Sequence, residues 1–169
     1  PWVDAMVRVE GPVVRDMQAI FLEDWHSDSG ETVDDAFETG GTQTSGETIA
    51  QIIASGPNRQ NEALRQLTTS ALHLAEEELV LTTPYFVPDE ASAMALRSAG
   101  RRGVTAILIV PARNDSPLVA AASRSYYEPL LEDGVQIYEF QGGLLHAKTI
   151  TIDRELAVVG TANFDRRSF

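Results

Sequence analysis

The chain has 169 residues, 43% of them apolar, with 25 acidic against 13 basic side chains, no cysteine and a formal charge of −12. That length and apolar share suit one folded domain or two small lobes rather than a disordered chain. The missing cysteines exclude disulfides, thiolate metal sites and cysteine nucleophiles. The net charge argues against nucleic acid, whose phosphates call for Lys and Arg, and against an anionic membrane surface.

From the amino end, Ala5–Glu10 alternates as a strand, with Met6, Arg8 and Glu10 on one side and Val7 and Val9 on the other. Gly11-Pro12 then precedes an amphipathic helix carrying Val13, Met17, Ile20, Phe21 and Trp25 at helical spacing. Residues 1–48 hold 11 carboxylates and two arginines, and Ser27–Gly46 is a Gly/Ser/Thr/Asp-rich stretch without apolar period. It reads as a solvated acidic linker, residues 27–47.

Beyond the linker the pattern predicts a strand at Thr48–Ala54, a helix at Asn61–Leu74 and a strand at Glu78–Thr83. A helix at Asp89–Arg102, a strand at Val104–Val110 and a helix at Pro117–Leu131 come next. Strands at Val135–Phe140, Leu145–Ile152 and Leu156–Val159 close the chain. Strands alternating with helices imply crossover units, so the fold class is α/β, a mixed β-sheet flanked by helices.

One segment concentrates polar chemistry: His146-Ala147-Lys148, then Asp153, then Gly160-Thr161-Ala162-Asn163. On a strand His146 and Lys148 share a face about 7 Å apart. With Asp153-Arg154 as a two-residue turn, the hairpin register sets Thr161 opposite His146 and Asn163 opposite Leu144. Asp153 then lies roughly 23 Å away along the strand, where a structural job at the turn suits it. A histidine, an ammonium and an amide on one spot form a receptor for a phosphodiester. Lys148 neutralises phosphate oxygens, Thr161 and Asn163 donate to them, and His146 attacks phosphorus or protonates a leaving alkoxide. Neither role asks for a metal or another cofactor, and the three histidines (His26, His73, His146) lie far apart in sequence. Twelve of the thirteen basic residues are arginine, and the single lysine is Lys148. That bias points to a need for a compact ammonium there.

These residues resemble a known signature. HAKTITIDRELAVVGTAN is similar to the His-x-Lys-x4-Asp-x6-Gly-[Ser/Thr]-x-Asn pattern of the phospholipase D superfamily. The segments VRVEGPVVRDMQAIFLEDW, IIASGPN, LTTPYFVPDE, SRSYYEPLLEDGVQIYEFQGGLLHAK and GTANFDRRSF narrow the resemblance to bacterial cardiolipin synthases.

In that family two homologous halves, each with one His-x-Lys motif, meet at a single site. The resemblance therefore implies that residues 1–26 are the tail of a first half and residues 48–169 most of a second, truncated half. It counts His146, Lys148 and Asp153 as catalytic, and His146, Lys148, Thr161 and Asn163 as phosphate-binding. It places the carboxylate that orients the histidine beyond Phe169, and the first motif before Pro1. The implied reaction is phosphatidyl transfer through a phosphohistidine, from phosphatidylglycerol to cardiolipin, at the bacterial cell membrane. On this reading the isolated chain is inactive without the missing motif. Either the rest of a longer protein or a second copy of the chain supplies it, the latter as in single-motif phosphodiesterases that complete their site by dimerising. His146 is left as nucleophile or as general acid/base.

Overall fold

The computed structural model describes residues 2–33, 46–56, 62–166 and 168. The elements are β1 (Trp2–Val3), α1 (Val13–Ser29), α2 (Glu62–Leu74), β2 (Glu78–Thr82), β3 (Phe86–Val87), α3 (Glu90–Arg101) and β4 (Thr105–Pro111). They continue with α4 (Pro117–Arg124), α5 (Tyr127–Glu132), β5 (Gln136–Phe140), β6 (Leu144–Leu145), β7 (Thr149–Ile152), β8 (Leu156–Val159) and β9 (Phe164–Asp165). They fall into two compact units, Pro1–Met6 with Gln60–Phe169, and Val7–Arg59.

In the larger unit a five-stranded sheet runs in the order β5-β4-β2-β7-β8. β2, β4 and β5 are parallel, while β7 is antiparallel to both β2 and β8. This is the mixed α/β sheet that the alternating pattern predicts. On β4 the residues Ala106, Leu108 and Val110 are buried on one face and Ile107 and Ile109 half-buried on the other, as expected of an inner parallel strand. The core is continuous from Leu72 and Leu96 through Leu79, Leu81 and Leu108 to Leu130. Gly100 permits close packing, since a Cβ there would stand 2.3 Å from the Asp133 carbonyl oxygen. Asp133 in turn accepts from Arg97 and Arg101, and the pair holds its carboxyl below the usual range, Arg101 most of all.

In the smaller unit α1 forms as the apolar spacing predicts. It ends at Gly30, whose φ of 72° lets its N–H reach the His26 carbonyl. The expected acidic linker begins inside this helix, and its residues 34–45 lie outside the described residues.

Four sequence expectations are corrected. Ala5–Glu10 and Thr48–Ala54 form no strand: no described residue pairs with them, and Met6 and Ile49 are each 97% exposed. The strand described near the amino end is β1, which runs parallel to β6. The expected helix 117–131 breaks into α4 and α5, because Pro129 lacks an N–H and its ring crowds the carbonyl of Ser125. The expected strand 145–152 breaks at His146–Lys148, where the chain leaves β1, its partner at Leu145, for β2, its partner at Thr149. The alternation also gives no sign of β3 and β9, which pair in parallel with Phe86 stacked on Phe164 (centroids 5.7 Å apart).

Candidate active site

The polar residues gather at one end of the sheet. β2, β4 and β5 all finish there, and because β7 is antiparallel, its first residue Thr149 pairs with Thr82, the last residue of β2. His146–Lys148 therefore enters the sheet at the carboxyl ends of the parallel strands, where open α/β sheets hold their ligands.

His146 is fixed from four directions. Its backbone N–H donates to the Val3 carbonyl at 2.7 Å, and its ring lies 4.5 Å from that of Trp2. Its Nδ1 is 3.1 Å from an Asp4 carboxylate oxygen and 2.8 Å from the Lys148 ammonium. One nitrogen cannot serve both at once. A proton on Nδ1 is donated to Asp4 and leaves Nε2 with its lone pair; a bare Nδ1 accepts from Lys148. The ammonium also donates to the backbone carbonyl of His146. The bond to His146, then that from the Ala5 N–H, holds the Asp4 carboxyl below its usual range. Burial lowers the Lys148 ammonium from its ordinary value, against the opposite pull of Asp4.

The hairpin register differs from the expected one. Asp153 and Arg154 do form the turn, at φ of 52° and 61°, and the Glu155 N–H closes it onto the Ile152 carbonyl at 3.0 Å. Ile152, however, opposes Leu156 rather than Glu155, so Glu155 is an extra residue and the register slips by one. Gly160 consequently donates to the Lys148 carbonyl at 3.1 Å. Thr161 does not face His146 across the hairpin and is exposed. The Asn163 N–H donates to the Ser168 hydroxyl at 3.1 Å, and its buried side-chain oxygen meets no donor among the described residues.

Asp153 lies at the other end of β7, where its carboxylate accepts from the backbone N–H groups of Glu76, Glu77 and Glu78 at 3.0, 2.8 and 2.8 Å. These bonds, Glu78 first, hold its carboxyl below the usual range. They tie the β7–β8 turn to the start of β2.

Sequence reasoning missed three residues. Trp2 and Asp4 stand far from the motif in the chain, and no spacing rule connects them to it. Asp4 is the carboxylate that contacts His146 in this structure. Thr83, 1% exposed, accepts from the Phe164 N–H at 3.1 Å and donates to the Tyr85 carbonyl at 2.9 Å, which links the Asn163 loop to the end of β2. Among the described residues, no helix is long and apolar enough to cross a membrane, and no three His, Asp or Glu side chains gather as a metal site.

Residues 68–169 match the family described as "Cardiolipin synthase, PLD-like domain". The chain is 44% identical to cardiolipin synthase A of Serratia proteamaculans (strain 568) over 171 aligned positions, which cover 99% of this chain and 35% of that protein. It is 42% identical to cardiolipin synthase A of Yersinia pestis bv. Antiqua (strain Angola) over the same shares. The chain thus spans about a third of the length of these relatives. Among solved structures, the phospholipase D family member Nuc of Salmonella typhimurium superposes with a TM-score of 0.55 at 22% identity, over 62% of this chain and 66% of that one. NucT of Helicobacter pylori gives 0.52 at 17%, over 64% and 71%. These two likenesses speak for the fold. With the sheet, the motif at its carboxyl edge and the family match over 68–169, the chain belongs to the cardiolipin synthase, phospholipase D-like domain family.

Proposed function

We propose that the intact protein carrying this chain is a phosphatidyltransferase of the cardiolipin synthase type, and that His146 is one of two histidines at its reaction centre. In the first step a histidine Nε2–phosphorus bond forms as the phosphorus–oxygen bond to the leaving glycerol of phosphatidylglycerol breaks, and the second histidine gives that alkoxide its proton. A hydroxyl of a second phosphatidylglycerol then attacks phosphorus and yields its proton to the second histidine, and the nitrogen–phosphorus bond breaks to release cardiolipin. Lys148 neutralises the phosphate oxygens throughout, and Thr161 and Asn163 bind them.

The observation that carries this reading is the contact between Asp4 and His146 Nδ1, which turns Nε2 into a usable lone pair beside an ammonium. The sequence holds one His-x-Lys, so the second comes from the rest of a longer protein at the bacterial membrane. Residues 1–26 then belong to the end of a first half and 48–169 to a second, and the isolated 169 residues turn over little.

With phosphatidylglycerol vesicles and the intact protein, His146→Ala is expected to lower cardiolipin formation at least about 100-fold. Near-wild-type product from that variant overturns the reading.

A further inference from the structure

Beside the motif, at the carboxyl ends of β4 and β5, lies an open cavity of about 500 Å³ lined by Arg113, Asn114, Asp115, Phe140, Gln141 and Leu144 among others. We propose that this cavity is the headgroup subsite for the acceptor phospholipid, with Arg113 taking its phosphate and Asp115 and Gln141 its hydroxyls. The proposal rests on the phosphatidyl-transfer reading and adds where the second lipid sits.

Position comes first. In the order β5-β4-β2-β7 the cavity stands two strands from the start of β7, about 10 Å at the usual strand spacing, and on the same end of the sheet. Leu144, in its wall, is two residues from His146. Its volume falls in the range of small-molecule sites.

The lining is chemically selective. Several other arginines of this unit are committed: Arg97 and Arg101 to Asp133, Arg102 to the Ala75 carbonyl, Arg154 to Glu78, Arg65 to Glu62 and Arg124 to Glu139. Among the described residues Arg113, an exposed residue of the cavity lining, has no such partner. A free guanidinium fork matches a phosphate.

Asn114 is spent on the loop itself, donating to the Pro84 carbonyl and accepting from the Ser116 N–H. Asp115 is held by the Tyr85 hydroxyl at 2.8 and 2.9 Å, and its remaining lone pairs accept from a ligand hydroxyl. Gln141 donates to the Glu139 carbonyl and keeps its amide oxygen as an acceptor. One anion site and two hydroxyl acceptors describe a phosphodiester carrying a diol, as in the phosphatidylglycerol headgroup. A headgroup ending in an ammonium places like charge near Arg113.

The test uses the intact protein. Calorimetric titration compares glycerophosphoglycerol, the soluble headgroup, with inorganic phosphate and with glycerol, for wild type, Arg113→Ala and Arg113→Lys. We expect Arg113→Ala to weaken glycerophosphoglycerol binding roughly 10- to 100-fold and Arg113→Lys less. In vesicles supplemented with labelled glycerol, the ratio of cardiolipin to labelled phosphatidylglycerol is expected to fall at least tenfold in Arg113→Ala. Unchanged headgroup affinity, an unchanged product ratio, or inorganic phosphate binding as tightly as the headgroup each overturns the subsite. If the alanine variant fails to fold, the same measurements on Arg113→Lys decide in the same way. A wild-type protein that binds the headgroup through Arg113 yet makes no cardiolipin refutes the transferase reading and leaves the subsite standing.

Discussion

Asp4 and His146 are separated by 142 positions in sequence and by 3.1 Å in space, the carboxylate of one on the Nδ1 of the other. The two-residue pairing of β1 with β6 makes the contact, since it carries Trp2 and Val3 alongside Leu144 and Leu145 and leaves Asp4 abreast of His146. A sheet of two residues per strand thus aims the histidine.

If Asp4 fixes the ring and its tautomer, Asp4→Asn is expected to cut kcat about 10- to 100-fold with little change in KM. The sign with pH follows from the depressed Asp4 carboxyl. Its contribution is present above the ordinary carboxylate range and is lost as pH falls through the lower folded-state value. The wild-type acid limb of kcat should flatten in Asp4→Asn, and a variant with a full acid limb and full kcat would remove Asp4 from the mechanism.

For Lys148 the fold disfavours the charged form. Burial disfavours its ammonium in the folded chain, so the unfolded chain holds that proton more tightly, and stability rises with pH between the lowered folded value and the ordinary lysine range. Lys148→Met is expected to lose at least about 100-fold in transfer rate while its Tm at neutral pH equals or exceeds that of wild type. A clear fall in Tm would show that the ammonium stabilises the fold instead of serving only the reaction.

For Asp153 the expectation is structural. Its three backbone amides favour the carboxylate, so its stabilising effect is present above the ordinary carboxylate range and fades as pH drops through the depressed value. Asp153→Ala should lower the Tm by several degrees, with the loss shrinking as the solution is made more acidic. Wild-type Tm together with abolished turnover would instead give Asp153 a direct part in the chemistry.

Thr83 joins the two loops flanking the site through one buried hydroxyl. Thr83→Val removes both hydrogen bonds at constant volume and is expected to cost about 1–3 kcal/mol in urea unfolding, whereas Thr83→Ser keeps most of it. Comparison of kcat for the two variants checks whether the Asn163 loop depends on that link: Thr83→Ser should restore it.

The sequence carried some of this plainly. Ala106–Val110 is apolar on both faces and reads as an inner strand, and the two-residue spacing of His146 and Lys148 marks them as partners. Pro129 announces the break between α4 and α5 through its missing N–H, a signal outweighed by the apolar period around it. Other features depend on three-dimensional pairing. The one-residue slip arises from Glu155, which the composition of the turn does not distinguish from a strand residue. Alternation at Ala5–Glu10 suggests a strand, but a strand needs a partner and β6 is taken by Trp2–Val3. Asp4 is illegible for the same reason: nothing local to it encodes a neighbour from the far end of the chain.

The pairing of β1 with β6 also sets where the protein can be cut. The motif and its family match lie wholly within residues 68–169, so a fragment beginning at Gln60 would keep every signature position. It would nonetheless discard the six residues that return to the same compact unit, and with them the indole and the carboxylate that grip His146. The heritable unit of sequence and the working unit of structure therefore have different boundaries. The excursion through Val7–Arg59 separates the two pieces of one and interrupts nothing in the other.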